Sequence, residues 1–539
     1  MSPQGSPRPS ARARYLSRQD IIIERRHSHD STGLGHYARR RLSIATALYL
    51  TPASVSYADI NDMPRDILSE IFVHTLPECV TDTMVDFRSQ SLIISQVCRY
   101  WRDVAIKLPS LWRLISLFGC PDAHHHRSLE LARIFVDRSR GTELRFEYCD
   151  IEAIYLRDRG RGIANVTFAP RGGLVNTPAN ERCPCVLDFM ISHIAVTRTL
   201  ELTVGHASCQ RLASLPPAAA SMLRGISVSF LEGGNAPHTL ARLYGTAPQL
   251  AHFARTTSVP ALALLPPGPT DVPWRQLVTA HISDSSIPYS QFLEIVATAP
   301  LLATLRAQLC LDSFHATHPP SPPHPRIIQS RLEELDIFSL APLDVIFSSL
   351  QLPSLRRLTL RSVGRRIHSP PVGAWPCDDL QTLSHFIEGI TPGLMVLRLL
   401  PSNDISQGDL ITLLRKAQMA TLTELELLRG PVASDALFTQ LDPEYGPPLL
   451  PRVQRLTLAE CNTTDGAIGN MLASRCRLGY PLRMLRIRTH LDEMDRYHKD
   501  KRMFQSLEEQ YGMRVDYPGS RAWLEALKAT SAARRKGRL

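Results

Sequence analysis

Residues Leu355 to Leu360 read Leu-Arg-Arg-Leu-Thr-Leu. The same apolar-x-x-apolar-x-apolar spacing returns at Leu332/Leu335/Ile337, Leu394/Leu397/Leu399, Leu422/Leu425/Leu427, Val453/Leu456/Leu458 and Leu482/Leu485/Ile487. The first positions of these six units lie 23, 39, 28, 31 and 29 residues apart. Looser copies precede them at Thr197/Leu200/Leu202, Leu223/Ile226/Val228, Leu250/Phe253, Leu277/Ala280/Ile282 and Leu302/Leu305/Ala307. A unit this short cannot bury its apolar face alone and must stack on its neighbours, so the period decides the architecture before any motif does. The last two apolar residues of each unit alternate as a strand requires. Return segments such as Leu410/Leu413/Leu414 and Ile468/Met471/Leu472 have helical spacing. The expected fold class is α/β, with parallel strands stacked in a solenoid over residues 191–490.

The eleven units average 28.5 residues and resemble leucine-rich repeats, whose period is about 20–29. The longest step contains Ser369-Pro370-Pro371 and Pro376, and a second return segment holds the Pro-rich stretch from His318 to Pro325. Both read as loops extruded from the array. Leu491 to Gly512 is charged and punctuated by Leu and Met, which suits a helical cap over residues 491–517. On each strand the residue between the last two apolar positions should face the concave side, where solenoids bind partners. That row is Asp336, Thr359, Arg398, Glu426, Thr457 and Arg486, flanked by Phe338, Arg361, Leu400 and Arg488. Its mixed signs do not indicate a dedicated reader of phosphate or polyanion. Cys461 and the following Thr464-Asp465-Gly466 resemble the cysteine-containing repeat subtype, in which Cys461 would be a buried turn residue.

Length and charge narrow the function classes. The 539 residues carry 61 basic and 51 acidic side chains, a net charge of +10. Residues 1–50 account for +6 of it and residues 518–539 for +5, leaving a body near −1. The basicity that would suggest a nucleic-acid or membrane-surface binder thus lies in two tails, 1–58 and 518–539, and no nucleic-acid or membrane partner is expected. The first tail also has the composition of a mitochondrial transit peptide, but its early prolines and glycine read more simply as disorder. Eleven cysteines without a framework, no secretory signal and no apolar stretch of spanning length point to the cytosol or nucleus.

Between the first tail and the array, residues 59–117 have helical periodicity. Pro64 sits in a first turn behind Asp62, and Ile67, Leu68, Ile71 and Phe72 fall on one face. Ile93, Val97, Trp101, Val104 and Ala105 recur at helical spacing and read as one buried stripe. Three groups, Met63-Pro64-x-Asp66-Ile67-Leu68-x-x-Ile71-Phe72, Val97-Cys98-Arg99-x-Trp101-Arg102-x-x-Ala105 and Pro109-x-Leu111-Trp112, resemble the F-box family, in a form similar to that of mushroom-type fungi. Met63 and Asp66 stand where the family usually has Leu and Glu. The resemblance implies docking on the Skp-type linker subunit, and through it a cullin, with Pro64, Ile67, Leu68, Ile71, Val97, Cys98 and Trp101 lying at or directly behind that interface. It also implies that the rest of the chain captures a target protein the sequence does not name. A domain so short cannot hide all these apolar groups, which agrees with a partner site. Residues 118–190 then connect this module to the array.

The sequence has no phosphate loop, Gly-x-Gly-x-x-Gly, His-Glu-x-x-His or Gly-x-Ser-x-Gly. Cys183-Pro184-Cys185 and His124-His125-His126 with Cys120 lack metal-site spacing, and no cofactor is indicated. The expectation is a non-catalytic substrate-recruiting adaptor of a cullin-RING ubiquitin ligase. The alternative is a leucine-rich-repeat scaffold, outside ubiquitin chemistry, whose helical module packs internally.

Overall fold

A computed structural model describes residues 63–76, 89–119, 127–150, 184–216, 219–230, 240–245, 247–257, 272–311, 326–339, 341–362, 375–400, 405–427, 433–459, 461–480, 482–488, 497–518 and 520. The first tail, the second tail apart from Pro518 and Ser520, Asp62, the Cys120 and His124–His126 group, Cys183 and the two Pro-rich loops up to Pro371 lie outside these residues. The chain divides into two compact units, 1–67 and 68–539.

The second unit is α/β and is organised by one parallel sheet. Its strands are β1 (Leu114–Phe118), β2 (Leu144–Cys149), β3 (Thr197–Val204), β4 (Gly225–Phe230), β5 (His252–Thr257), β6 (Thr279–Pro288) and β7 (Thr304–Cys310). They continue as β8 (Glu334–Ser339), β9 (Arg357–Ser362), β10 (Val396–Leu400), β11 (Glu424–Leu427), β12 (Arg455–Ala459), β13 (Met484–Arg488) and β14 (Arg514–Asp516). Neighbours in the sheet are neighbours in the chain throughout, as a stacked array demands and a doubly wound sheet does not. A helix lies in many of the return segments, among them Tyr289–Thr298, Leu380–Glu388, Gln407–Leu414 and Ala467–Arg477.

All eleven repeat units form strands, and the register keeps their apolar positions in line. Leu335, Leu358, Leu397, Leu425, Leu456, Leu485 and Val515 pair across seven consecutive strands, and every one is buried. The joints between units repeat as well. The Arg224 carbonyl accepts from the amides of both Ala251 and His252 at 2.8 and 2.9 Å. The carbonyls of Ala251, Val278, Ala303, Glu333, Arg356, Met395, Thr423 and Gln454 each do the same for the first residue of the next strand and the residue before it. A carbonyl has two lone pairs, so one group satisfies two donors that would otherwise be orphaned at a turn.

The sheet is longer than the array expected over 191–490. It begins at Leu114, inside the stretch assigned to the helical module, and β2 lies in the supposed connection. At the other end the expected cap holds a helix, His498–Tyr511, and a fourteenth strand. Trp112 joins module to sheet: it is fully buried, donates Nε1–H to the Ala105 carbonyl at 2.8 Å and meets Phe135 edge-on at 5.0 Å.

Near the far end, aspartates staple successive turns. Asp465 accepts from the Lys499 and Asp500 amides, and Asp500 accepts from those of Gly466 and Gly469. Gly469 is required there, because a Cβ would come within 2.8 Å of Met503 on the facing helix. Arg475 is wholly buried and donates to the backbone carbonyls of Leu441, Leu449, Leu450 and Tyr480. Replacing Arg475 by Met removes all four bonds and leaves Leu450 only the Val453 amide, so the variant should lose about 3 kcal/mol in denaturant unfolding. Arg477→Met, on an exposed pair with Glu444, should cost less than about 1 kcal/mol; equal losses would contradict a structural role for Arg475.

Candidate functional site

Two sets of side chains answer the sequence expectations. The first lies on three short helices, α1 (Arg65–His74), α2 (Gln90–Gln96) and α3 (Arg99–Ile106). Residues Ile93 to Ala105 do not form one stripe on one helix. The helix stops at Val97, and Cys98 is extended (φ −153°, ψ 175°), its Sγ capping α3 by accepting the Trp101 amide at 3.4 Å. This break resets the helical phase. Leu92 and Ile94 turn inward on α2, Val104 and Ala105 on α3, while Ile93 and Val97, one turn apart, are left outside.

On α1 the split is equally clean. Ile67 and Ile71, one turn apart, are 49% and 41% exposed, whereas Leu68 and Phe72 are each 1% exposed. Phe72 packs against Trp101 with ring centroids 5.0 Å apart. Pro64, Ile67, Ile71 and Val97 are therefore surface residues, Cys98 and Trp101 are half-buried, and Leu68 lies inside. Ile93 was missed because it was counted in the buried stripe; the signal was its i−4 spacing from Val97.

The second set is the polar face of the sheet. Its middle row runs unbroken from Ser116 through Glu147, Glu201, Ser227, Ala254, His281 and Arg306 to Asp336, and on through Thr359, Arg398, Glu426, Thr457 and Arg486 to Asp516. The structure thus brings the six expected row residues together in register. Arg361 and Leu400 pair along the next row, which Phe338 and Arg488 share. Asp336 and Thr359 are buried within it rather than presented.

The charges on this face pair across strands. Asp336 receives Arg361 through two bonds of 3.0 and 3.1 Å and Arg306 at 3.3 Å. Glu424 receives Arg398 at 2.5 Å and Arg455 at 2.6 Å. Glu426 takes Arg398 at 3.3 Å and Arg488 at 3.9 Å, and Asp516 takes Arg486 at 2.9 Å. Burial pushes the Asp336 carboxyl above its ordinary range, against the opposing pull of Arg361 and Arg306. Burial also lowers Arg398, but its bonds to Glu424 and the charges of Glu424 and Glu426 outweigh that and leave it raised. Glu334, Arg357, Glu424 and Arg455 were missed at the sequence level, although period-two alternation places them on the same face as the chosen row.

Among the described residues no group of three His, Cys, Asp or Glu side chains could hold a metal ion, and no helix is long and apolar enough to cross a membrane. No known family model matches the sequence, and no curated protein matches it significantly.

His281 sits in the middle row with Nε2 buried and without a hydrogen-bond partner. Burial, then the charges of Arg306 and Arg361, bring its pKa down from 6.5 to about 4. The unfolded chain therefore binds the proton first, and stability is full above pH 6.5 and falls as pH drops toward 4. A His281→Asn variant should show a flatter decline of melting midpoint over that window than the parent chain. Parallel curves would contradict the assigned environment.

Proposed function

We propose that this chain is an F-box protein with leucine-rich repeats, a substrate-recruiting adaptor of an SCF-type cullin-RING ubiquitin ligase. The observation that carries the reading is where apolar surface remains uncovered. Of the sixteen large apolar side chains exposed among the described residues, four are Ile67, Ile71, Ile93 and Val97, all in the short segment whose motif resembles the F-box. Exposing a large apolar side chain forgoes about 1.5–3 kcal/mol of burial, and these four have neighbours, Leu68, Phe72, Leu92 and Ile94, that are buried. Selective exposure on alternate helix faces suits a protein partner better than a small internal core does. In this reading the apolar helices take the Skp-type linker, the long parallel sheet takes the target, and the chain contributes proximity while catalysis belongs to the RING subunit and its conjugating partner.

Co-purification tests it. The intact chain should retain a Skp-type linker subunit, and Ile71→Asp with Val97→Asp should lose it with little change in melting midpoint, since both side chains are already solvated. Substituting Leu68 would not discriminate, because it would open the core. Retention of the linker by the double variant would contradict the assigned contacts. No retention by the intact chain would favour a repeat scaffold outside ubiquitin chemistry.

A further inference from the structure

The ion pairs on the sheet face are not symmetric in depth. The acids lie low: Asp336, Glu424, Glu426 and Asp516 expose 12, 10, 16 and 7% of their side chains. The arginines that pair with them expose 33–58%. A short carboxylate on a strand stays near the backbone, while the long arginine stem lies across it and carries the guanidinium to the surface. Sequence-level charge counting sees mixed signs, but a partner approaching β7 to β14 meets mainly guanidinium groups, with the more exposed Glu334 carboxylate beside Arg357 as the exception.

The stoichiometry adds to this. Asp336 and Glu424 each hold two arginines, and Glu426 is shared between Arg398 and Arg488. A guanidinium has five N–H donors, and the bonds described above occupy only one to three on each. The excess grows toward the end of the sheet. The last three strands present Arg455, Arg486, Arg488 and Arg514 against one acid, Asp516, which is buried. The first six strands differ: their middle row is mostly Ser, Ala, Glu and His, and Arg145 is paired with Glu201.

We infer that the face of β7 to β14 binds an extended acidic segment of a partner protein, its carboxylates taking the outward N–H groups of arginines whose inner donors are held by the buried acids. The inner pairs fix the guanidinium groups of Arg306, Arg361, Arg398, Arg455, Arg486 and Arg488 in place, which lowers the entropy lost on binding. Eight strands at about 4.8 Å spacing span about 34 Å, the reach of about ten extended residues. A peptide fits this chemistry better than single-stranded nucleic acid, which takes stacking platforms; Phe338 is the one aromatic side chain among the described residues of this face. The inference deepens the proposed function, since it rests on the sheet face being the docking side.

The test uses the full chain and a fluorescein-labelled decapeptide of alternating Asp and Glu, read by anisotropy. The peptide should bind, its Asn/Gln counterpart should not, and affinity should fall as salt is raised. Arg488→Gln with Arg514→Gln should weaken binding at least about tenfold. Thr457→Glu, which removes no existing pair and sets a competing acid in the middle row between Glu426 and Arg486, should do the same with the fold intact. Exchanging Arg534, Arg535, Lys536 and Arg538 for Gln should leave the affinity unchanged. Binding that survives both face variants, or is lost with the tail variant, overturns the proposal. So does tighter binding of a ten-nucleotide oligothymidylate with the same dependence on the face. Linker retention by the same preparation is a separate readout: a chain that keeps the linker and ignores the peptide loses this inference alone, and one that binds the peptide without the linker loses the adaptor reading alone.

Discussion

Nine carbonyl groups, from Arg224 to Gln454, each hold the amides of the following strand's first residue and of the residue before it, and the rest of the sheet depends on that joint. A parallel ladder that slipped by one residue would turn every buried leucine outward and every arginine inward. The repeated two-donor contact pins the start of each strand to the start of the one before. Insertions in the return segments, including the one that makes the step from Leu355 to Leu394 39 residues long, then leave the register of Leu358 with Leu397 untouched.

Register held over so many strands makes one continuous face out of residues far apart in sequence. Arg306 and Arg361 are separated by a whole unit, yet both reach Asp336 because one lies on the preceding strand and the other on the following one. His281 is drawn into the same environment by Arg306 alongside it and Arg361 beyond. The carboxylates end up beneath, the guanidinium groups above, and the electrostatic character of the surface differs from that of its composition. The helices at the start of the chain show the same rule on a smaller scale: Cys98 breaks one helix into two, and that single extended residue decides that Val97 faces solvent and Val104 the core.

Much of this was legible in the sequence, and the misses have physical causes. All eleven apolar units became strands because their spacing carries both the alternation and the period. The three additional strands escaped for separate reasons. Trp112/Ile115/Leu117 has the full spacing but lies within a helical motif. The Phe146/Tyr148 pair has Glu143 at its first position, and Val515/Tyr517 has Gly512 there. The row from Asp336 to Arg486 lies in register as its alternation requires, but the burial of Asp336 and Thr359 was not foreseeable, since it depends on side chains from adjacent strands. That Leu68 lies inside and Ile93 outside was not legible, because a motif records which residues recur, not which side of a short helix they occupy.

The most direct test of the account is amide hydrogen exchange on the full chain with and without a Skp-type linker subunit. The account predicts slower exchange on α1 and α2 when the linker is present, with the strands from β7 to β14 unchanged and open for a second partner. Protection confined to the sheet face, or no change on either helix, would contradict it.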